Sequence, residues 1–143
     1  MLQTLSEEKV DFIVIGAYAM AAQGIVRATG DIDIWYDPTS ENATKLYQAL
    51  IKFGAPVKDL SPEDFCQPAT VFQIGVVPCR IDLLSEIDGL EFAAAKKNAL
   101  NIEISKCSFL VLSAPDLIKN KKATGRTRDL ADIEELEKIL TRT

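Results

Sequence analysis

Asp31-Ile32-Asp33-Ile34-Trp35-Tyr36 alternates acid and apolar residues over its first four positions and then closes on two aromatics. A period of two argues for a strand, in which residues two apart project to one face. Asp31 and Asp33 then point together, while Ile32 and Ile34 face the other way into a core. Asp37-Pro38 ends the strand.

The neighbouring segments fit around it. Upstream, residues 11–15 form an apolar β-type run that stops at Gly16, and the Ala- and Met-rich residues 17–23 read as a short helix ended by Gly24. Downstream, Ser40 is the expected N-cap of a helix over 41–53, with Ala43, Leu46, Tyr47, Leu50 and Phe53 on one face and Gly54 closing it. Ser61-Pro62-Glu63-Asp64 signals a helix start or turn. Residues 71–77 and 80–85 read as two strands with a tight connection around Pro78 and Cys79. Residues 92–98 are a short helical piece, and 102–105 with 108–112 a further hairpin. Ser113-Ala114-Pro115-Asp116 has the form of a capping box and opens a helix that Gly125 interrupts. A last helix, 129–140, carries Leu130, Ile133, Leu136 and Leu140 on one stripe. This order predicts an α+β (mixed α/β) fold, a small mixed sheet with helices packed mainly on one face.

The chain has 143 residues, enough for one domain over 1–143 with its C-terminal helices from about 115 to 140. It contains no histidine, which excludes a Ser-His-Asp triad, a Cys-His pair and HExxH zinc chemistry. Acid/base work then falls to Asp, Glu, Lys, Tyr or Cys. The net charge of −5 argues against attraction of nucleic acid over the whole surface, though not against a local basic patch. Cys66, Cys79 and Cys107 form no CxxC spacing and read as reduced thiols. The polar, charged residues 1–10 do not resemble a signal peptide, and no apolar run reaches the ~20 residues of a membrane helix. A cytoplasmic protein without a membrane partner is the expectation.

Asp31 and Asp33 carry the chemistry. Two carboxylates on one strand face repel each other, and a divalent cation relieves that repulsion. All-oxygen ligands suit Mg²⁺ or Mn²⁺, which keep waters and accept substrate phosphates. The alternative is a solvated acidic strand face. Two neighbours favour the metal: Asp82 lies within the apolar strand Arg80-Ile81-Asp82-Leu83-Leu84, where an acid is costly unless paired or ligated, and Gly16 precedes a helix whose first amides could hold an anion. Three carboxylates, a phosphate-cradling turn and a divalent ion describe phosphoryl or nucleotidyl transfer.

Ile15-Gly16-Ala17-Tyr18-Ala19, then Gly24, Arg27, Thr29 and Asp31-Ile32-Asp33-Ile34, resemble the signature of the DNA polymerase β-like nucleotidyltransferase superfamily. Within it the chain looks most like the minimal nucleotidyltransferases and the AbiEii-type toxins. Leu117-Ile118, Lys121, Gly125-Arg126, Asp129-Leu130 and Asp132-Ile133 are similar to the tail of the latter group. The resemblance implies transfer of a nucleoside monophosphate from a nucleoside triphosphate to a hydroxyl acceptor on a tRNA, a protein or a small molecule, in a toxin–antitoxin or phage-defence setting with a cognate toxin or antitoxin. Asp31, Asp33 and Asp82 would be the catalytic residues: Asp31 and Asp33 would ligate the metals, and Asp82 would complete the second metal site or help deprotonate the acceptor hydroxyl. Gly16, Ala17, Arg27, Thr29, Lys121 and Arg126 would bind nucleotide. One position departs from the pattern: Ala17 stands where the family has Gly or Ser. That departure carries the alternative function, a catalytically weakened domain that binds a partner or a nucleotide.

The supporting residues each read two ways. Arg27 pairs with a phosphate or orients Asp33, or is a surface arginine. Thr29 bonds a ligand or merely makes a turn. Arg80 neutralises departing pyrophosphate or forms a permanent ion pair with an acid. Trp35 stacks on a nucleobase or packs under a helix. Lys119, Lys121, Lys122, Arg126 and Arg128 hold a triphosphate or an RNA end, or complement a helix dipole.

Overall fold

A computed structural model describes residues 1–26, 30–75, 80–104 and 106–141. Six strands form one mixed sheet: β1 (Phe12–Ile15), β2 (Asp31–Tyr36), β3 (Val71–Ile74), β4 (Arg80–Leu84), β5 (Leu100–Ile104) and β6 (Cys107–Val111), in the order β3-β4-β2-β1-β6-β5. β1 pairs antiparallel with β2 and parallel with β6. β2 pairs parallel with β4, and β3 and β5 close the two edges as antiparallel partners of β4 and β6. The mixed α+β architecture is as expected. Of the strands expected over 71–77 and 80–85, residues 76–79 lie outside the described residues, as does Ser105 of the hairpin expected over 102–105 and 108–112.

Among the described residues six helices accompany the sheet: α1 (Leu2–Glu7), α2 (Gly16–Ala22), α3 (Ser40–Phe53), α4 (Phe92–Asn98), α5 (Ala114–Thr124) and α6 (Leu130–Thr141). α3 forms because its apolar residues recur at helical spacing. Ala43, Leu46, Ala49 and Leu50 are fully buried, each leucine contributing roughly 1.5–3 kcal/mol. Its N-cap is Thr39 rather than Ser40: the Thr39 hydroxyl accepts from the Asn42 amide at 3.3 Å. Gly54 ends the helix at φ +86°. Ser61 and Asp64 close a reciprocal capping box on a 3₁₀ turn, Pro62–Cys66.

β1 is buried along its whole length, so the centre of the sheet is covered on both faces. Trp35 and Tyr36, which project oppositely, show what covers them. Trp35 meets the ring of Phe92 edge-on at 5.2 Å, and Tyr36 meets Phe65 of the 3₁₀ turn at 6.3 Å. α6 differs from the expected stripe. A 3₁₀ turn, Thr127–Asp129, precedes it, Leu136 is fully buried, and Leu130 is 63% exposed. Partly buried Ile133 and Ile139 complete the packed side instead. No helix among the described residues is long and apolar enough to cross a membrane.

Candidate active site

The pairing of β2 with β4 builds the site. Asp31 lies beside Arg80 and Asp33 beside Asp82, so all four side chains share one sheet face. Ile32 beside Ile81 and Ile34 beside Leu83 occupy the opposite face, where Ile34 and Leu83 are fully buried. Oxygens of Asp31, Asp33 and Asp82 lie within 4.8 Å of one another, the distance range over which one cation can be shared.

Gly16 adjoins this group. β1 aligns Ile15 with Asp33, and the chain turns into α2 at Gly16 with φ +68°. A Cβ there would stand 2.5 Å from Asp33 Oδ2. Both the backbone conformation and the space therefore require glycine. Ala17 follows as the second residue of α2 and lines the same cleft.

Arg80 is the cation of the group. Its Nη2 donates to Asp31 Oδ2 at 2.6 Å and to Asp82 Oδ2 at 3.2 Å. Its Nε lies 3.0 Å from Asp82 Oδ1, but off the N–H axis, so that this contact is an ion pair without an aligned hydrogen bond. Arg80 thus forms the ion pair that was one of its two readings. Asp33 is pushed up to about 6, chiefly by burial and then by the charges of Asp31 and Asp82. A hydrogen bond with Asp82 acts in the same sense, and Arg80 opposes them.

The three acids form the floor of a cleft of about 840 Å³. α5 supplies the facing wall. Ser113 caps it by accepting from the Asp116 amide at 3.4 Å, and Gly125 ends it at φ +72°. Leu117, Lys121 and Thr124 recur at three- and four-residue steps toward the cleft. Lys121 is buried and reaches Asp129 at 3.4 Å and Asp132 at 3.3 Å. Arg126 binds Asp129 through Nε at 2.7 Å and Nη2 at 3.3 Å. Burial works to raise the Asp129 carboxyl, but bonds and charges from Arg126 and Lys121 outweigh it and hold the group below its usual range.

The basic cluster is therefore divided. Lys121 and Arg126 line the cleft, whereas Lys122 pairs with Glu137 of α6 at 3.1 Å. Trp35, 2% exposed, is packed beneath Phe92 and offers no face for a base. Arg27 and Thr29 lie outside the described residues, as does the side chain of Arg128. Glu86, Asp88 and Asn120 also line the cleft and were not singled out from sequence. Glu86 and Asp88 follow directly on the strand bearing Asp82, a position that could have flagged them.

The donor set suits a hard divalent cation. It is all oxygen, and Asp82 Oδ1 is buried and ion-paired with Arg80 Nε but accepts no aligned hydrogen bond among the described residues.

A family described as "Nucleotidyltransferase of unknown function (DUF6036)" matches residues 2–142, and the chain belongs to it. A crystal structure of a "putative nucleotidyltransferase" from Thermotoga maritima superposes with a TM-score of 0.59. The alignment covers 99% of this chain and 89% of that one at 19% sequence identity, a likeness of fold. No curated protein matches the chain in sequence.

Proposed function

Taking membership of this nucleotidyltransferase family as the premise, we propose that the cleft transfers a nucleoside monophosphate from a nucleoside triphosphate to a hydroxyl acceptor. The observation that carries the reading is the convergence of Asp31, Asp33 and Asp82 beside Gly16. In the reaction the acceptor hydroxyl gives up its proton to solvent as its oxygen attacks the α-phosphorus, the bond from that phosphorus to the oxygen bridging to the β-phosphorus breaks, and pyrophosphate leaves with that oxygen. Asp31, Asp33 and Asp82 would hold Mg²⁺ or Mn²⁺, which would supply charge stabilisation for the transfer.

The remaining roles follow from chemistry and position. Asp82 is contacted by Arg80 at both oxygens, which fixes its carboxylate in the cleft and suits it to a ligand role. The Gly16 and Ala17 backbone faces the triphosphate, with Arg27 and Thr29 contributing from the segment before β2. Lys121 and Arg126 on the opposite wall, held in place by Asp129 and Asp132, contribute donors toward the triphosphate. The acceptor hydroxyl belongs to an RNA, a protein or a small molecule, and the likeness of residues 117–133 to AbiEii-type toxins supports a toxin–antitoxin or phage-defence setting.

The test is incubation of the protein with Mg²⁺ or Mn²⁺ and each labelled triphosphate, reading pyrophosphate release and label on an acceptor. Asp33→Asn is expected to abolish the signal. Undiminished transfer by that variant would overturn the assignment of the metal ligands.

A further inference from the structure

Arg80 touches two of the three acids that the proposed function gives to a metal. It engages Asp31 through one oxygen and Asp82 through both. A guanidinium and a divalent cation cannot both take these oxygens at full strength. Each lone pair given to one is withdrawn from the other, and the two positive charges repel. Yet without any cation the three carboxylates, whose oxygens lie within 4.8 Å of one another, would repel.

We propose that Arg80 is an exchangeable counterion: it holds Asp31 and Asp82 together in the ion-free protein and gives up Asp31 when a divalent cation binds, turning its guanidinium toward the phosphate side of the cleft. This rests on the reading of the three acids as the cation site. Three features make the exchange feasible. The Nε contact to Asp82 is misaligned, so the hold is incomplete. The Arg80 side chain is 31% exposed and lines the cleft, which gives it room to move. Its anchor on β4 lies two residues before Asp82 on the same face, so that it can leave Asp31 and remain beside Asp82. Cation and phosphate binding are thereby coupled. The ion that enters frees a planar donor fork suited to a phosphate.

The experiment titrates the nucleotide-free protein with Mn²⁺ and reads free Mn²⁺ by electron paramagnetic resonance. Arg80→Gln is expected to tighten Mn²⁺ binding by about tenfold, the scale of a moderate coupling between competing ligands. Arg80→Lys, which keeps the charge, is expected to tighten it less. Equal or weaker binding by a folded Arg80→Gln protein, with binding lost in Asp33→Asn, would overturn the exchange and leave the cation site standing. Absence of Mn²⁺ binding in every form would overturn both. Should Arg80→Gln not fold, the Arg80 Nε–H resonance of the wild-type protein decides. It is expected to shift on titration with Mg²⁺, and an unchanged resonance at saturation would sink the proposal.

Discussion

Replacing Asp33 by asparagine is expected to stabilise the ion-free protein while removing its activity. Asp33 titrates at about 6 because burial and the charges of Asp31 and Asp82 disfavour its ionised form. In the unfolded chain it titrates near the ordinary aspartate value of about 4. Between these points the folded state binds more protons than the unfolded state, so stability falls as pH rises through about 4 to 6 and levels off above about 7. Each pH unit between them corresponds to about 1.4 kcal/mol, giving an upper bound near 3 kcal/mol. Asp33 is only half-buried, and solvent screening reduces the expected cost to ~1–2 kcal/mol. Asparagine keeps the size, can still donate to Asp82, and carries no charge. At pH 8 without divalent ions, Asp33→Asn should therefore melt about 3–8 °C above wild type for a chain of this size. The advantage should shrink as the pH is lowered from about 6 towards 4, where wild-type Asp33 is itself neutral. Differential scanning calorimetry of both proteins across this range measures it. A variant that melts at or below wild type at pH 8, or whose gain does not depend on pH, would refute the account of crowded carboxylates.

Other substitutions probe the rest of the site. Mg²⁺ or Mn²⁺ at ten times its dissociation constant should stabilise wild type by about 1.4 kcal/mol and leave Asp31→Asn and Asp33→Asn nearly unmoved in a thermal-shift titration. Gly16→Ala should cost about 1–3 kcal/mol in chemical denaturation, because its φ of +68° strains an L-residue and its Cβ drives against Asp33, and transfer activity should fall with it. Lys121→Ala should destabilise by about 2–3 kcal/mol, since Asp129, 3% exposed, keeps Arg126 but loses a buried partner; urea unfolding measures this. Leu46→Ala, at a fully buried position of α3, should cost about 2–5 kcal/mol and, by lying away from the cleft, leave divalent-ion affinity unchanged.

What could be read from the sequence divides by the range of the interaction. β2 was legible because its alternation is local, and α3 because Ala43, Leu46, Tyr47 and Leu50 recur at helical spacing, although Phe53, expected on the same face, is exposed at the helix end. α1 was not legible, since six residues are too few for a periodicity to register; Leu5 is buried in the core and Leu2 packs partly against it. In α6 the expected stripe holds at its middle, Ile133 and Leu136, and fails at its ends: the preceding 3₁₀ turn leaves Leu130 in solvent, Leu140 is exposed, and Ile139 takes the packed side instead. The cap of α3 was displaced by one residue because Thr39 and Ser40 carry the same chemistry, and only the backbone decides between them.

The meeting of Asp82 with Asp33 is the instructive case. Nothing local announces it, because β2 and β4 are parallel and separated by a long connection. Its cause lies on the other side of the sheet. Ile32 with Ile81, and Ile34 with Leu83, bring apolar side chains together on the core face. A slip of one residue would put Asp82 among them and turn Leu83 or Ile81 toward the cleft. Burial of a carboxylate without a partner costs more than any gain such a slip offers. The register that satisfies the core is therefore the one that sets Asp33 beside Asp82 and Asp31 beside Arg80. The acids crowd together against their own repulsion because the hydrophobic face of the same strands holds them there. Loosening that face, as in Ile34→Ala, should weaken divalent-ion binding from the far side of the sheet without altering a single polar group.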